Sequence, residues 1–108
     1  MKVPEVISRY QAAHDRRDTA VALSAFAPNA TVVDDGRTYR GADEIRDWVA
    51  TAASEFTFTR TFVSAEALEA DVWLVVNHLD GNFPGGEVDL RYKFALDGDR
   101  ISELVIAP

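Results

Sequence analysis

Among the side chains of this sequence able to move a proton, Tyr10, His14, Asp34 and Tyr92 are the candidates for a site. A carboxylate such as Asp34, placed in apolar surroundings, is desolvated, which raises its pKa and makes it a better base. Two phenols aimed at one point would stabilise an enolate developing where water is scarce. His14 stands one helical turn beyond Tyr10 on the same face and titrates near neutral pH, so it is a candidate auxiliary acid–base group. Each has a purely structural alternative. Asp34, beside Asp35-Gly36, can serve as a turn residue bonding nearby amides. Tyr10 and Tyr92 can be packing aromatics, and His14 a satisfied rim histidine. Asp34 and Asp35 are not read as a paired dyad, because adjacent strand residues point to opposite faces; Asp34 is taken as the inward one.

The elements that must position these groups can be read from periodicity. After Pro4, the residues Val6, Ile7, Tyr10, Ala13 and His14 fall on one helical face. Asp18 is placed to cap a second helix through Val21, Leu23, Ser24 and Phe26, with Pro28-Asn29 stopping it. A short β-branched run, Ala30–Asp34, turns at Asp35-Gly36 into Arg37–Arg40. Ile45, Trp48, Val49 and Ala52 mark a third amphipathic helix from Ala42 to Ser54. Strands follow: Phe56–Val63, the doubly apolar Val72–Val76, the alternating Val88–Leu96 and Ile101–Ile106, with Asp80–Gly86 a longer loop. Helices first and long strands afterwards predict an α+β domain, three helices covering the concave face of a curved antiparallel sheet. The cone between them is a natural small-molecule pocket. Trp48, Phe58, Leu90 and Phe94 are the apolar side chains expected to line it, although Trp48 also suits a plain core.

This order resembles the nuclear transport factor 2-like superfamily, which includes ketosteroid isomerase, scytalone dehydratase and the SnoaL-like polyketide cyclases. The resemblance covers nearly the whole chain, so residues 1–108 are read as one SnoaL-like domain. It is carried by Ser8-Arg9-Tyr10-Gln11-Ala12-Ala13, by Phe26-Ala27-Pro28-Asn29-Ala30-Thr31-Val32-Val33-Asp34 and by Tyr39-Arg40-Gly41-Ala42-Asp43-Glu44-Ile45. It implies that Tyr10 falls at the oxyanion-binding tyrosine of ketosteroid isomerases and Asp34 at the proton-moving aspartate. Tyr92 falls where those enzymes carry a late-strand carboxylic acid, a departure from their pattern.

Composition sets limits on partners. Lys plus Arg number 11 against 18 Asp plus Glu, a net charge of −7 over 108 residues, which argues against nucleic acid and anionic membrane surfaces. The absence of Cys removes disulfides and thiolate chemistry. No metal or cofactor is expected, since the two His are far apart in sequence and no metal-ligand or phosphate-loop motif appears. His78 is read as structural, without a nearby ligand partner. Arg60 is read as an exposed edge guanidinium in preference to an anion clamp. The longest apolar run, Val72–Val76, is far short of the ~20 residues of a membrane span. Without an apolar stretch after Met1-Lys2-Val3-Pro4-Glu5, a cytoplasmic protein is expected. Val72, Leu74 and Val76 suggest self-association through the outer sheet face as a homodimer. Two functions remain open: a cofactor-independent isomerase, cyclase or dehydratase acting next to a carbonyl of an apolar or polycyclic substrate, and a non-catalytic ligand-binding or dimerisation domain.

Overall fold

Pro4 and Asp18 start the first two helices by different devices. The Pro4 carbonyl accepts from the Ile7 amide at 3.1 Å, and Asp18 Oδ1 accepts from the Val21 amide at 3.1 Å, a side-chain cap of the expected kind. In this computed structural model, which describes residues 3–108 (the Ser54 side chain apart), helix α1 spans Glu5–Asp15 and α2 Thr19–Ser24. Met1 and Lys2, within the segment read for a leader, lie outside the described residues. Arg17 adopts φ 60° and turns the chain sharply between the two helices.

Strand β1 runs Phe26–Asp34, β2 Arg37–Arg40, and helix α3 Gly41–Ala50. A 3₁₀ turn at Ala52–Ser54 leads to β3 (Phe58–Glu69), β4 (Val72–Gly81), β5 (Glu87–Asp97) and β6 (Arg100–Ala107). Three expectations shift. The second helix stops at Ser24, not Phe26, because the Ala25 carbonyl accepts from the Ile101 amide at 2.8 Å and Phe26 is drawn into register with Ile101. Pro28 and Asn29 therefore lie inside β1, exposed, where the β1–β6 ladder is irregular. The third helix ends at Ala50, where the Thr51 hydroxyl bonds back to the Asp47 carbonyl and competes with the helical ladder.

The six strands form one sheet in the order β2-β1-β6-β5-β4-β3. It is mixed, not purely antiparallel: β6 inserts between β1 and β5 and pairs with β1 in parallel. Two register shifts in β3, between Phe62 and Ser64 and between Ala67 and Glu69, interrupt its pairing with β4. The concave face buries Val75, Tyr92, Phe94 and Leu104 against Ile7, Tyr10, Ile45 and Trp48 of the helices. No helix among the described residues is long and apolar enough to cross a membrane.

Candidate active site

Between the helices and the concave face lies a cavity of about 320 Å³. Its floor comes from alternating residues of β4 and β5, Leu79 paired with Val88, and Leu90 and Tyr92 beyond. Helices α1 and α3 supply Tyr10, His14 and Trp48, and the connection after α3 supplies Ala52, Ala53 and Phe56. Seven of the eight expected residues line this space: Tyr10, His14, Asp34, Trp48, Phe58, Leu90 and Tyr92. Phe94 does not. It is packed behind the wall, stacked on Tyr92 at 6.3 Å and edge-on to Tyr10 at 6.1 Å.

Asp34 ends β1, and its Oδ2 accepts from Trp48 Nε1 at 3.1 Å. Trp48 is thus both core and wall: its indole is buried, and its only polar atom aims the carboxylate. Burial pushes the Asp34 carboxyl above the usual range and the Asp35 charge pushes the same way, while the Trp48 N–H and the Asp35 amide pull it down. Asp35 also reaches the cavity, contrary to the alternation argument. That argument holds only for extended backbone. Asp35 has φ 54° and Gly36 φ 75°, so the turn swings the second carboxylate back to the same rim.

Tyr10 is fully buried, stacked near-parallel between Trp48 at 6.5 Å and His14 at 6.2 Å. Burial raises both phenols, Tyr10 and Tyr92, so both are neutral donors at any ordinary pH. Each also feels the Asp34 charge, and neither hydroxyl has a hydrogen-bond partner among the described residues. Free donors facing an apolar space beside a base are what an oxyanion requires.

His14 is held differently from the expected acid–base group. Arg60 Nη2 lies 3.2 Å from Nδ1 and can only donate, so Nδ1 carries the lone pair. Nε2 then bears the proton and donates to the Ala53 carbonyl at 2.8 Å. Both nitrogens are occupied, and burial lowers the pKa, so the imidazole is neutral and fixed. It clamps α1 to the wall segment, helped by Arg17 Nη2, which donates to the Phe56 carbonyl at 2.6 Å.

Arg60 is the largest correction. It is not an exposed edge residue: only 7% of its side chain is accessible, and Nε lies 3.1 Å from Asp15 Oδ1. The signal was its place on the strand face of Phe56, Phe58 and Phe62; what the sequence lacked was where that face is covered, for Phe58 lines the cavity while Phe62 is 54% exposed. Phe83 was likewise missed: the expected loop shortens to residues 82–86 because β4 continues to Gly81, and Phe83 within it meets Phe56 edge-on at 6.1 Å at the cavity wall. His78 also has carboxylate neighbours, contrary to expectation. Nδ1 lies 2.6 Å from Asp89 and Nε2 3.4 Å from Asp80, and Asp80 and Glu87 bring ligand atoms within 4.8 Å of its ring nitrogens and of one another. Asp89 foremost raises its pKa, so the carboxylates favour the protonated ring where β4 and β5 meet.

A helix-roofed, aromatic-walled cone with a carboxylate at one strand end defines a recognisable class. A family profile described as a SnoaL-like domain matches residues 7–103, and the chain belongs to that family. A solved structure from Sinorhizobium meliloti, described as a candidate polyketide cyclase, is 30% identical and superposes with a TM-score of 0.89 over 97% of this chain and 95% of its own. A ketosteroid isomerase-like protein from Catenulispora acidiphila, in complex with trimethylamine, is 20% identical over 99% and 87% of the two chains, with a TM-score of 0.85. A Mycobacterium tuberculosis protein in complex with estradiol-17beta-hemisuccinate is 14% identical over 95% and 92%, with a TM-score of 0.79. A search of curated proteins returns no match.

Proposed function

We propose that this protein binds a small, largely apolar carbonyl compound and moves a proton next to the carbonyl without a cofactor. Asp34 takes the proton, and the Tyr10 and Tyr92 hydroxyls receive the charge that builds on oxygen. His14 serves as a neutral brace. The observation that carries this reading is one cavity lined by a burial-raised carboxyl and by two phenols without a hydrogen-bond partner among the described residues. Its volume is roughly twice the ~150 Å³ that accommodates one benzene, which favours a ligand of one or two rings over a larger polycycle. The solved relatives carrying trimethylamine and a steroid hemisuccinate support a ligand-holding role for this fold.

The test is α-proton exchange of 2-tetralone in deuterated buffer, followed by NMR. Wild type should accelerate exchange over buffer, and Asp34→Asn should lose about 10²–10⁴ of that acceleration while still binding the ketone. No acceleration by wild type, or equal rates for the two proteins, contradicts the assignment. A second reading, a non-catalytic binding domain, is favoured by one observation: Tyr92 stands where the resemblance leads one to expect a carboxylic acid. Ketone binding without exchange would decide for it. We further propose a homodimer through the outer sheet face, where Val72, Leu74 and Val76 are half-buried in the single chain.

A further inference from the structure

Arg60 reaches from β3 to the cavity's rear wall, and its environment is unusual for a cation. Its Cζ lies 5.4 Å from the Tyr92 ring centroid and 5.8 Å from that of Phe58, and both rings face the cavity. Nη2 donates to His14. Nε approaches Asp15 Oδ1 at ion-pair distance without hydrogen-bond alignment, and Nη1 is buried with no hydrogen bond at all. Asp15 is nearly half exposed, so water screens the carboxylate that is paired with this charge among the described residues. Burying a guanidinium so incompletely paired costs stability that an apolar side chain of similar length would not. The feature is intelligible if the charge acts on something in the cavity. Arg60 touches that space through its neighbours: it is absent from the lining residues, while Tyr92, Phe58 and His14 all line it.

We propose that Arg60 is a positioning residue that polarises the Tyr92 phenol from behind, strengthening its hydroxyl as a donor to an oxyanion while it locks His14 in place. A cation held against an aromatic ring stabilises negative charge accumulating on the attached oxygen. The same charge opposes the effect of burial on both phenols, Tyr10 and Tyr92. The charged groups acting on His14 are Arg60, Arg17 and Asp15, so the brace is neutral between two cations and one carboxylate. This inference rests on the oxyanion reading above.

The experiment compares 4-nitrophenolate, whose ionisation is read from visible absorbance, with nitrobenzene, its uncharged analogue lacking the phenolate oxygen. Arg60→Met should weaken 4-nitrophenolate about tenfold or more and nitrobenzene no more than about twofold, whereas Arg60→Lys should retain most phenolate binding. In a Tyr92→Phe background the Arg60→Met loss should largely vanish, since the effect passes through the phenol. Arg60→Gln, which can still donate to His14, gives the same neutralisation should Arg60→Met not fold. Equal losses for both ligands, an undiminished loss in the Tyr92→Phe background, or no loss would overturn the proposal. Wild type that binds neither probe contradicts the cavity reading and this inference together; wild type that binds both, with variants that do not discriminate, contradicts this inference alone.

Discussion

Asp34 and His14 carry opposite signs in the pH dependence of stability. Burial raises the Asp34 carboxyl, so the folded state prefers it protonated: its favourable contribution is complete below the ordinary carboxylate range and lost as pH rises through the raised value. Asp34→Asn should therefore raise Tm at pH 7 and raise it less near pH 4, with the gap between the two melting curves widening as pH rises. A constant gap would mean that Asp34 is not desolvated. For His14 the folded state prefers the neutral ring, so its contribution is present above about pH 6.5 and lost as pH falls through the lowered value. Protonation would set an Nδ1–H against the Arg60 donor and a cation against a cation. The ¹⁵N spectrum of His14 should show one neutral tautomer at pH 7, protonated at Nε2, and a midpoint below that of an ordinary histidine; a midpoint at or above the ordinary value would refute the clamp. At this scale, side chains on regular elements were legible from sequence, and those on turns or dependent on a second element were not. Tyr10 and Asp34 followed from helical and strand period. Asp35 escaped because its left-handed backbone breaks the alternation, and Arg60 because its burial depends on His14 and Asp15 at the end of α1, far from it in sequence.

Among the elements, the segments that close the cavity carry the sharpest expectations. Gly81 ends β4 against the backbone entering β3: a Cβ there would meet the Thr57 carbonyl oxygen and come within 2.7 Å of Phe58 Cβ. Across the same junction Asn82 Oδ1 accepts from the Thr57 amide at 2.9 Å, and the Asn82 amide donates to the Thr57 carbonyl at 3.1 Å. Gly81→Ala should cost about 1–3 kcal/mol in a denaturant melt, because the contact is with backbone that cannot rotate away. Asp18→Ala should cost about 1 kcal/mol through loss of the α2 cap, without changing ligand binding. The cap was readable from Asp18 alone, since capping is local chemistry. The extent of β1 was not: Phe26 and Pro28 join the sheet because Ile101, some 75 residues away in sequence, binds the preceding carbonyl. The parallel β1–β6 pair is non-local for the same reason, and no local period announces it.

For the whole molecule, the strong excess of acidic residues and the apolar outer stripe make separate demands. Leu74 points away from the cavity on a strand whose inward neighbour Val75 is buried. Leu74→Glu should yield a monomer by multi-angle light scattering where wild type is a dimer, with little change in affinity for 2-tetralone. A wild type that is monomeric at high micromolar concentration would remove the dimer from the account. The order of helices and strands was legible across nearly the whole chain because each change of hydrophobic period, into the β1–β2 hairpin, back to helix α3 and out to the long strands, is marked by a local turn or cap signal. The cavity's contents were only half legible, because a hollow is defined by which faces meet. The most direct measurement of the central claim is a ¹³C carboxyl titration of Asp34 by NMR, with and without 2-tetralone. The expected midpoint lies above that of an ordinary aspartate and moves when the ketone binds; an ordinary midpoint indifferent to the ketone would overturn the role of Asp34 as the base.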